Sequence, residues 1–165
     1  MTEQDAYAAI VLTPFGAIGI QTDVAASKVV KLAFLPPGST ERQPANALAA
    51  EAAAQVRRYM EQPDFRFALP LLESGTAFQR AVWREIDAIA RGQTATYGAI
   101  AKRLGSAPRA VGQACGANPF PLVTPCHRVV AANGGLGGFA GQRDHSHFLL
   151  AAKRWLLSHE AHEAA

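Results

Sequence analysis

The sequence predicts an α+β protein in two parts: short strands with one helix, then a mainly helical part containing a helix-turn-helix. Three observations carry this. Apolar residues flank tight-turn signals before residue 40, helical periodicity recurs from Asn46 onward, and the pattern breaks between Pro63 and Gly75. A chain of 165 residues that is 49% hydrophobic can bury one sizeable core, or a large core beside a smaller satellite. The expected division is an N-terminal α/β domain over 1–74 and a C-terminal domain over 75–165.

In "YAAIVLTPFGAIGIQTD" two apolar stretches flank Thr13-Pro14-Phe15-Gly16, and "KVVKLAFLPPG" alternates Val30, Leu32 and Phe34 before a proline stop. A small antiparallel sheet follows from these. "NALAAEAAAQVRRYMEQP" places Leu48, Ala52, Val56 and Tyr59 on one helical face, with Asn46 as N-cap. Pro63 to Gly75 reads as a strand fragment and connector. "GTAFQRAVWREIDAIARG" opens on a T-x-x-Q capping box at Thr76 and Gln79, places Phe78, Val82, Ile86 and Ile89 on one face, and offers Gly92 as the stop. Trp83, beside that stripe, reads as core packing rather than a base-stacking platform.

"TATYGAIAKRLGSAPRAVGQACGANP" predicts a helix from about Tyr97 to Leu104, a turn at Gly105-Ser106-Ala107-Pro108, and a second helix from Arg109 to Ala117. Ala110, Ala114 and Ala117 line one side of this second helix, with Gly112 and Gly116 nearby. So slim a helix suits tight packing against another helix, or entry into a DNA minor groove about 6 Å wide. Cys115, on the side expected to lie opposite the alanines, reads as a small core residue. The terminal helix "FLLAAKRWLLSHE" has Phe148, Ala152, Trp155 and Leu156 as its burying face.

No apolar run approaches the roughly 20 residues that span a bilayer, and "MTEQDAYAAI" lacks a signal-peptide layout. The expectation is a cytoplasmic protein, nucleoid-associated if bacterial, with no membrane partner. Cys115 and Cys126 make neither a disulfide framework nor a C-x-x-C pair. The net charge of +3 is compatible with a polyanionic partner without requiring one.

"LVTPCHRVVAANGG" raises the chemical question. A thiol of ordinary pKa, about 8.5, is only a few per cent thiolate at neutral pH, so a nucleophilic Cys126 needs a base. His127 is adjacent, but neighbouring residues of an extended strand point to opposite faces, so it would act across a turn or through a water. Glu160 is the candidate to orient the imidazole. Arg128 reads as a structural ion-pair partner. His145 and His147 with Cys126 and His127 match no standard zinc pattern, so no metal is expected.

These residues resemble the O6-alkylguanine-DNA alkyltransferases, also called methylated-DNA-protein-cysteine methyltransferases. The resemblance runs from Gly75 to Glu160 through "GTAFQRAVW", "TYGAIA", "RAVGQACGANP", "PCHRVV", "GGLGGFAG" and "KRWLLSHE" in order. It implies a ribonuclease-H-like N-terminal part and a cofactor-free, single-turnover methyltransferase. That protein repairs DNA directly, moving the alkyl group from O6-alkylguanine, and O4-alkylthymine, onto its own Cys126. By resemblance, His127 is the base through a water, Glu160 holds His127, and Tyr97 donates a proton or hydrogen bond to the leaving guanine. Arg109 intrudes into the base stack as the lesion is flipped out, and Ala110, Gly112, Gln113 and Ala114 face the minor groove of double-stranded DNA. Asn118 orders the turn into the cysteine strand. Pro121, Val129, Gly137, Gly138, Phe139 and Ala140 line the substrate pocket, which the Gly134 to Gly141 loop walls. The protein is expected to be a monomer. Two spacings depart from the family pattern: the turn in "GSAPRAVG" is shorter, and "QRDHSHFLLAA" lengthens the segment after "GGFAG", which is expected to alter the alkyl groups that fit. The competing classes are a lesion-binding module that only flags damage, which Cys126 argues against, and a Cys-His-Glu acyl-transfer enzyme. For the latter, "PCHRVV" carries no glycine-rich elbow.

Overall fold

The computed structural model describes residues 6–133, 135–136 and 147–162. They fall into two compact units, divided between Glu73 and Ser74, and the content is α+β.

In the first unit, β1 (Ala9–Thr13), β2 (Gly16–Thr22) and β3 (Val29–Leu35) form an antiparallel sheet in the order β1-β2-β3. The expected sheet is present, but β3 buries Val29, Leu32 and Leu35 rather than the Val30, Leu32, Phe34 alternation. A register shift between Gln21 and Thr22 accounts for part of the change. β2 is the central strand and buries Ala17, Ile18, Gly19 and Ile20 in succession, as a strand covered on both faces must. Helix α1 (Ala47–Glu61) packs on β1 and β2. The Asn46 side chain accepts from Ala49 N at 2.8 Å, making the expected N-cap. Leu48 is only half-buried, and the inward face is Ala49, Ala52, Ala53, Gln55, Val56 and Tyr59. The expected strand after Pro63 reduces to one bridge, Val29 to Leu71. Two side-chain bonds hold the connector instead: Gln55 Nε2 donates to Ala68 O and Ala68 N donates to Gln55 Oε1.

The second unit begins with α2 (Ala77–Asp87), whose capping box is complete: Gln79 N donates to Thr76 Oγ1 and Thr76 N donates to Gln79 Oε1. Gly75 before it has φ 94°, and a Cβ there would lie 2.6 Å from the Trp83 ring, so the helix entry needs glycine. The helix stops short of Gly92. Beyond Asp87 the Ile89 carbonyl accepts from Arg128 Nη1 at 2.6 Å, and Gly92 instead serves the turn leading to β4 (Ala95–Thr96). Helices α3 (Tyr97–Leu104) and α4 (Pro108–Gly116) form the expected helix-turn-helix. Gly105 takes the left-handed conformation, and Ser106 N donates to Ala101 O while Gly105 N donates to Lys102 O. This glycine-terminated pattern satisfies the last carbonyls of α3, and Pro108 at the first position starts α4.

β4 pairs in parallel with β5 (Val129–Val130), Ala95 opposite Val129 and Thr96 opposite Val130. Helix α5 (His147–His162) closes the unit. Its buried positions are Leu149, Ala152, Lys153, Leu156 and Glu160, so the stripe is turned from the expected one; Phe148 and Trp155 are half-buried. No helix among the described residues is long and apolar enough to cross a membrane.

Candidate active site

The pairing of β4 with β5 organises the site. Tyr97 follows β4 directly and Cys126-His127-Arg128 precedes β5 directly, so one short ladder brings the start of α3 beside the cysteine. Cys126 does not lie on an extended strand as the sequence suggested. It opens a 3₁₀ turn, Cys126–Arg128, in which Arg128 N donates to Pro125 O.

Asn118 shapes the loop ahead of that turn. Its Oδ1 accepts from Phe120 N at 2.9 Å, and its Nδ2 donates to Thr124 O at 2.9 Å and Cys126 Sγ at 3.1 Å. Leu122 is buried at φ 76°, a left-handed conformation unfavourable for a leucine, within the span that Asn118 closes.

His127 and Glu160 are both 1% exposed. His127 Nε2 donates to Glu160 Oε2 at 2.9 Å. Arg128 grips the same carboxylate, Nε to Oε1 at 2.9 Å and Nη2 to Oε2 at 2.8 Å; this forked pairing keeps Glu160 ionised and fixed. A carboxylate can only accept, so the imidazole carries its proton on Nε2 and presents a lone pair on Nδ1. Nδ1 is buried and has no hydrogen-bond partner among the described residues. Burial lowers the imidazole pKa below its ordinary value while the Glu160 contact pulls the other way, leaving a neutral ring that can take a proton.

Lys153 is 0% exposed. Its Nζ donates to Leu136 O at 2.5 Å and lies 3.5 Å from Tyr97 Oη. Burial lowers its pKa to about 8, with the Cys115 and Cys126 sulfurs pulling upward. Burial also raises the Tyr97 phenol above its usual range, reinforced by the same two sulfurs, so Tyr97 keeps its proton. Sequence reasoning assigned Lys153 nothing. Its signal was a lysine on the apolar face shared by Leu149, Ala152 and Leu156.

Other expected residues fall into place unevenly. On α4, Arg109 and Gln113 are exposed and Ala110 and Gly112 half-exposed, but Ala114 is buried and its carbonyl accepts from Trp83 Nε1 at 2.8 Å. Trp83 is thus packing against α4, and the outward side of the helix excludes Ala114. Cys115 is buried, the small core residue expected, with the inward-packed Ala114 beside it, and its carbonyl is 3.6 Å from Cys126 Sγ. A Cβ on Gly112 would lie 4.0 Å from the Tyr97 ring, an ordinary contact distance, so α4 passes beside the tyrosine at this point. Arg128 is the ion-pair partner anticipated. Pro121 is half-buried and Val129 fully buried. Gly137, Gly138, Phe139 and Ala140 lie outside the described residues, as do Gly134, Gly141 and His145, and the His147 side chain is likewise not described. No cluster of three or more metal-ligating side chains occurs among the described residues.

Residues 77–162 match the family model for the 6-O-methylguanine DNA methyltransferase DNA-binding domain. Curated relatives called methylated-DNA--protein-cysteine methyltransferase include one from Methanosarcina acetivorans, 44% identical over 61% of this chain and 65% of that protein. Another, from Shigella flexneri, is 45% identical over 57% of this chain and 52% of that protein. The chain thus spans between about half and two thirds of the length of these two relatives. Among solved structures, Mycobacterium tuberculosis OGT in complex with DNA superposes with a TM-score of 0.75 at 31% identity, covering 93% of this chain and 91% of that one.

Proposed function

The chain belongs to the 6-O-methylguanine DNA methyltransferase family, and from that membership we propose that it reverses alkylation damage by taking the alkyl group of O6-alkylguanine in duplex DNA onto Cys126. O4-alkylthymine is the second substrate of this reading. The observation that carries it is the chain of contacts Arg128–Glu160–His127 ending in a bare Nδ1 one residue from the cysteine. His127 takes the Cys126 proton through a water. The thiolate then attacks the alkyl carbon, the C–S bond forms as the C–O6 bond breaks, and the electron pair leaves with the guanine. Tyr97, held protonated with the Lys153 Nζ at its hydroxyl, donates to the departing purine. A thioether has no easy way back, so each molecule acts once.

The target carbon is inaccessible in a stacked duplex, and extrusion costs a few kcal/mol. Arg109 and Gln113, exposed on α4 with the small Ala110 and Gly112 between them, suit a minor-groove approach in which Arg109 fills the gap left by the flipped base. In this reading residues 75–165 are the DNA-binding and alkyl-transfer domain, 1–74 are a separate N-terminal α/β domain, and the protein works as a monomer.

The direct test weighs the intact protein after incubation with a duplex containing O6-methylguanine. Gain of one methyl on Cys126, absent in Cys126→Ser, is the expected result. Binding without mass gain would mean a lesion-flagging module, and many demethylated bases per protein would mean a turnover enzyme. Arg109→Ala is expected to slow repair of duplex about ten- to a hundredfold while sparing attack on free O6-benzylguanine. Equal slowing of both would remove the wedge role.

A further inference from the structure

Glu160 lies in the last turn of α5, where a helix frays and its carbonyls run out of intrahelical amides. There its backbone carbonyl accepts from Arg91 Nη1 at 3.1 Å. Arg91 is half-buried in the turn between α2 and β4, and a cation bonded to the last carbonyls of a helix is favoured by the negative end of the macrodipole. The same turn offers the Ile89 carbonyl to Arg128 Nη1 at 2.6 Å. We infer that Arg91 is a positioning residue for alkyl transfer: by capping α5 at Glu160 it holds the carboxylate in register with His127. This rests on Cys126 being the alkyl acceptor and His127 its base.

The turn is built to hold such a cap. Ile89 N donates to Ile86 O and Gln93 N to Ala90 O, each at 3.0 Å, and Gly92 takes a φ of 81°, a conformation that suits glycine. The Ile89 carbonyl and the Arg91 side chain therefore refer Arg128 and Glu160 to one stiff segment. Lys153, bonded to Leu136 O and close to Tyr97 Oη, fixes α5 about two turns earlier, and Arg91 fixes it again where the acid stands. The need for a second anchor follows from the load on one oxygen. Glu160 Oε2 accepts from His127 Nε2 at 2.9 Å and from Arg128 Nη2 at 2.8 Å, so drift of the helix end loosens one of these bonds. Once the imidazole bond loosens, the ring no longer keeps its proton on Nε2. A ring with its proton on Nδ1 cannot accept one there from the sulfur.

The test reads the imidazole without DNA. Arg91→Met removes the donor and keeps the apolar stem, Arg91→Lys keeps a cationic donor, and Arg84→Ala removes an equal charge from an exposed position of α2. The ring nitrogen resonances of His127 report which nitrogen carries the proton: Nε2 in the wild type, and the two by turns in Arg91→Met. Alkyl transfer from free O6-benzylguanine by folded Arg91→Met is expected to be about tenfold slower, as when the competent tautomer is populated about a tenth of the time. Arg91→Lys is expected to recover the Nε2 signature and a rate within about threefold of the wild type, and Arg84→Ala to match the wild type in both. Wild-type resonances and rate in folded Arg91→Met, a lysine variant no better than methionine, or an equal loss in Arg84→Ala would overturn the role. Hydrogen exchange in the wild type decides the matter if Arg91→Met does not fold: the amides of His159 and Glu160 are expected to exchange about a hundredfold more slowly than in unfolded chain, and exchange at the rate of a fraying end would overturn the cap. A wild type that loses its Nε2 preference in Arg91→Met yet takes no alkyl group from O6-alkylguanine would instead defeat the repair reading and leave the positioning of Glu160 intact.

Discussion

Glu160→Ala is expected to destabilise the protein by about 3–5 kcal/mol, because it strips the partner from a largely buried guanidinium, 13% exposed, and leaves that charge uncompensated. Arg128 bonds twice to this carboxylate and once to the Ile89 carbonyl; the imidazole of His127 loses its hydrogen bond to the carboxylate at the same time. Urea unfolding of the variant against the wild type measures the loss. Alkyl transfer in folded variant protein is expected to fall about a hundredfold, the usual range for removing positioned acid-base assistance. Glu160→Gln separates the two effects: it keeps the volume and one acceptor, so part of the stability returns, while the neutral amide no longer fixes the imidazole tautomer. A stability change within about 0.5 kcal/mol for Glu160→Ala, the range of ordinary surface substitutions, would show that the carboxylate is not the keystone of the Arg128–His127 pair.

Lys153 gives the second large effect, and its sign follows from its pKa. In the unfolded chain this lysine keeps its proton up to about pH 10.5, whereas in the folded protein burial lets it go at about 8. Between those values the unfolded state binds more protons, so stability rises with pH across that window and levels off above it. The gap corresponds to about 3 kcal/mol. Tyr97 acts in the opposite direction at higher pH, since the folded state retains its proton longer. The informative quantity is therefore the difference between wild type and Lys153→Met in urea unfolding at a series of pH values. The difference is expected to change by about 3 kcal/mol in favour of the wild type from pH 8 to 10.5; parallel curves would show that the ammonium pays no burial penalty there. Lys153→Met is also expected to lose the contact with Tyr97 Oη and to slow alkyl transfer.

Much of this was legible in the sequence where the signal is local. The Asn46 cap, the Thr76–Gln79 box and the glycine-terminated turn at Gly105 each bond within a few residues, and such signals survive any tertiary context. Glu160 as the imidazole's partner was also legible, from the resemblance and from an acid near the end of an apolar helix. What escaped depends on contacts far apart in the chain. The end of α2 is set by Arg128, 39 residues away, taking the Ile89 carbonyl, which no helix-stop rule anticipates. The inward face of α5 rotated because Lys153 found Leu136 O and Tyr97 Oη, making a charged residue internal and leaving Trp155 to stack on His159 at 4.5 Å. Ala114 was placed on the outward side of α4 because three alanines suggested one thin face, whereas it packs inward beside Val111 and Cys115. The approach of Cys126 Sγ to the Cys115 carbonyl needed the loop closed by Asn118, a fact of three-dimensional tethering rather than of spacing.

The two-residue ladder between Ala95–Thr96 and Val129–Val130 has a consequence for how this chain tolerates change in length. The tyrosine and the cysteine turn are each anchored at an end of that ladder, so residues 98–125 between them form a closed excursion whose outer part can change in contour while the ladder holds both anchors. A change of length at Ser106-Ala107 therefore acts on the outward side of α4 first, and reaches the sulfur only through the Cys115 carbonyl on the inward side of that helix, so the turn can drift only as far as the inward contacts hold.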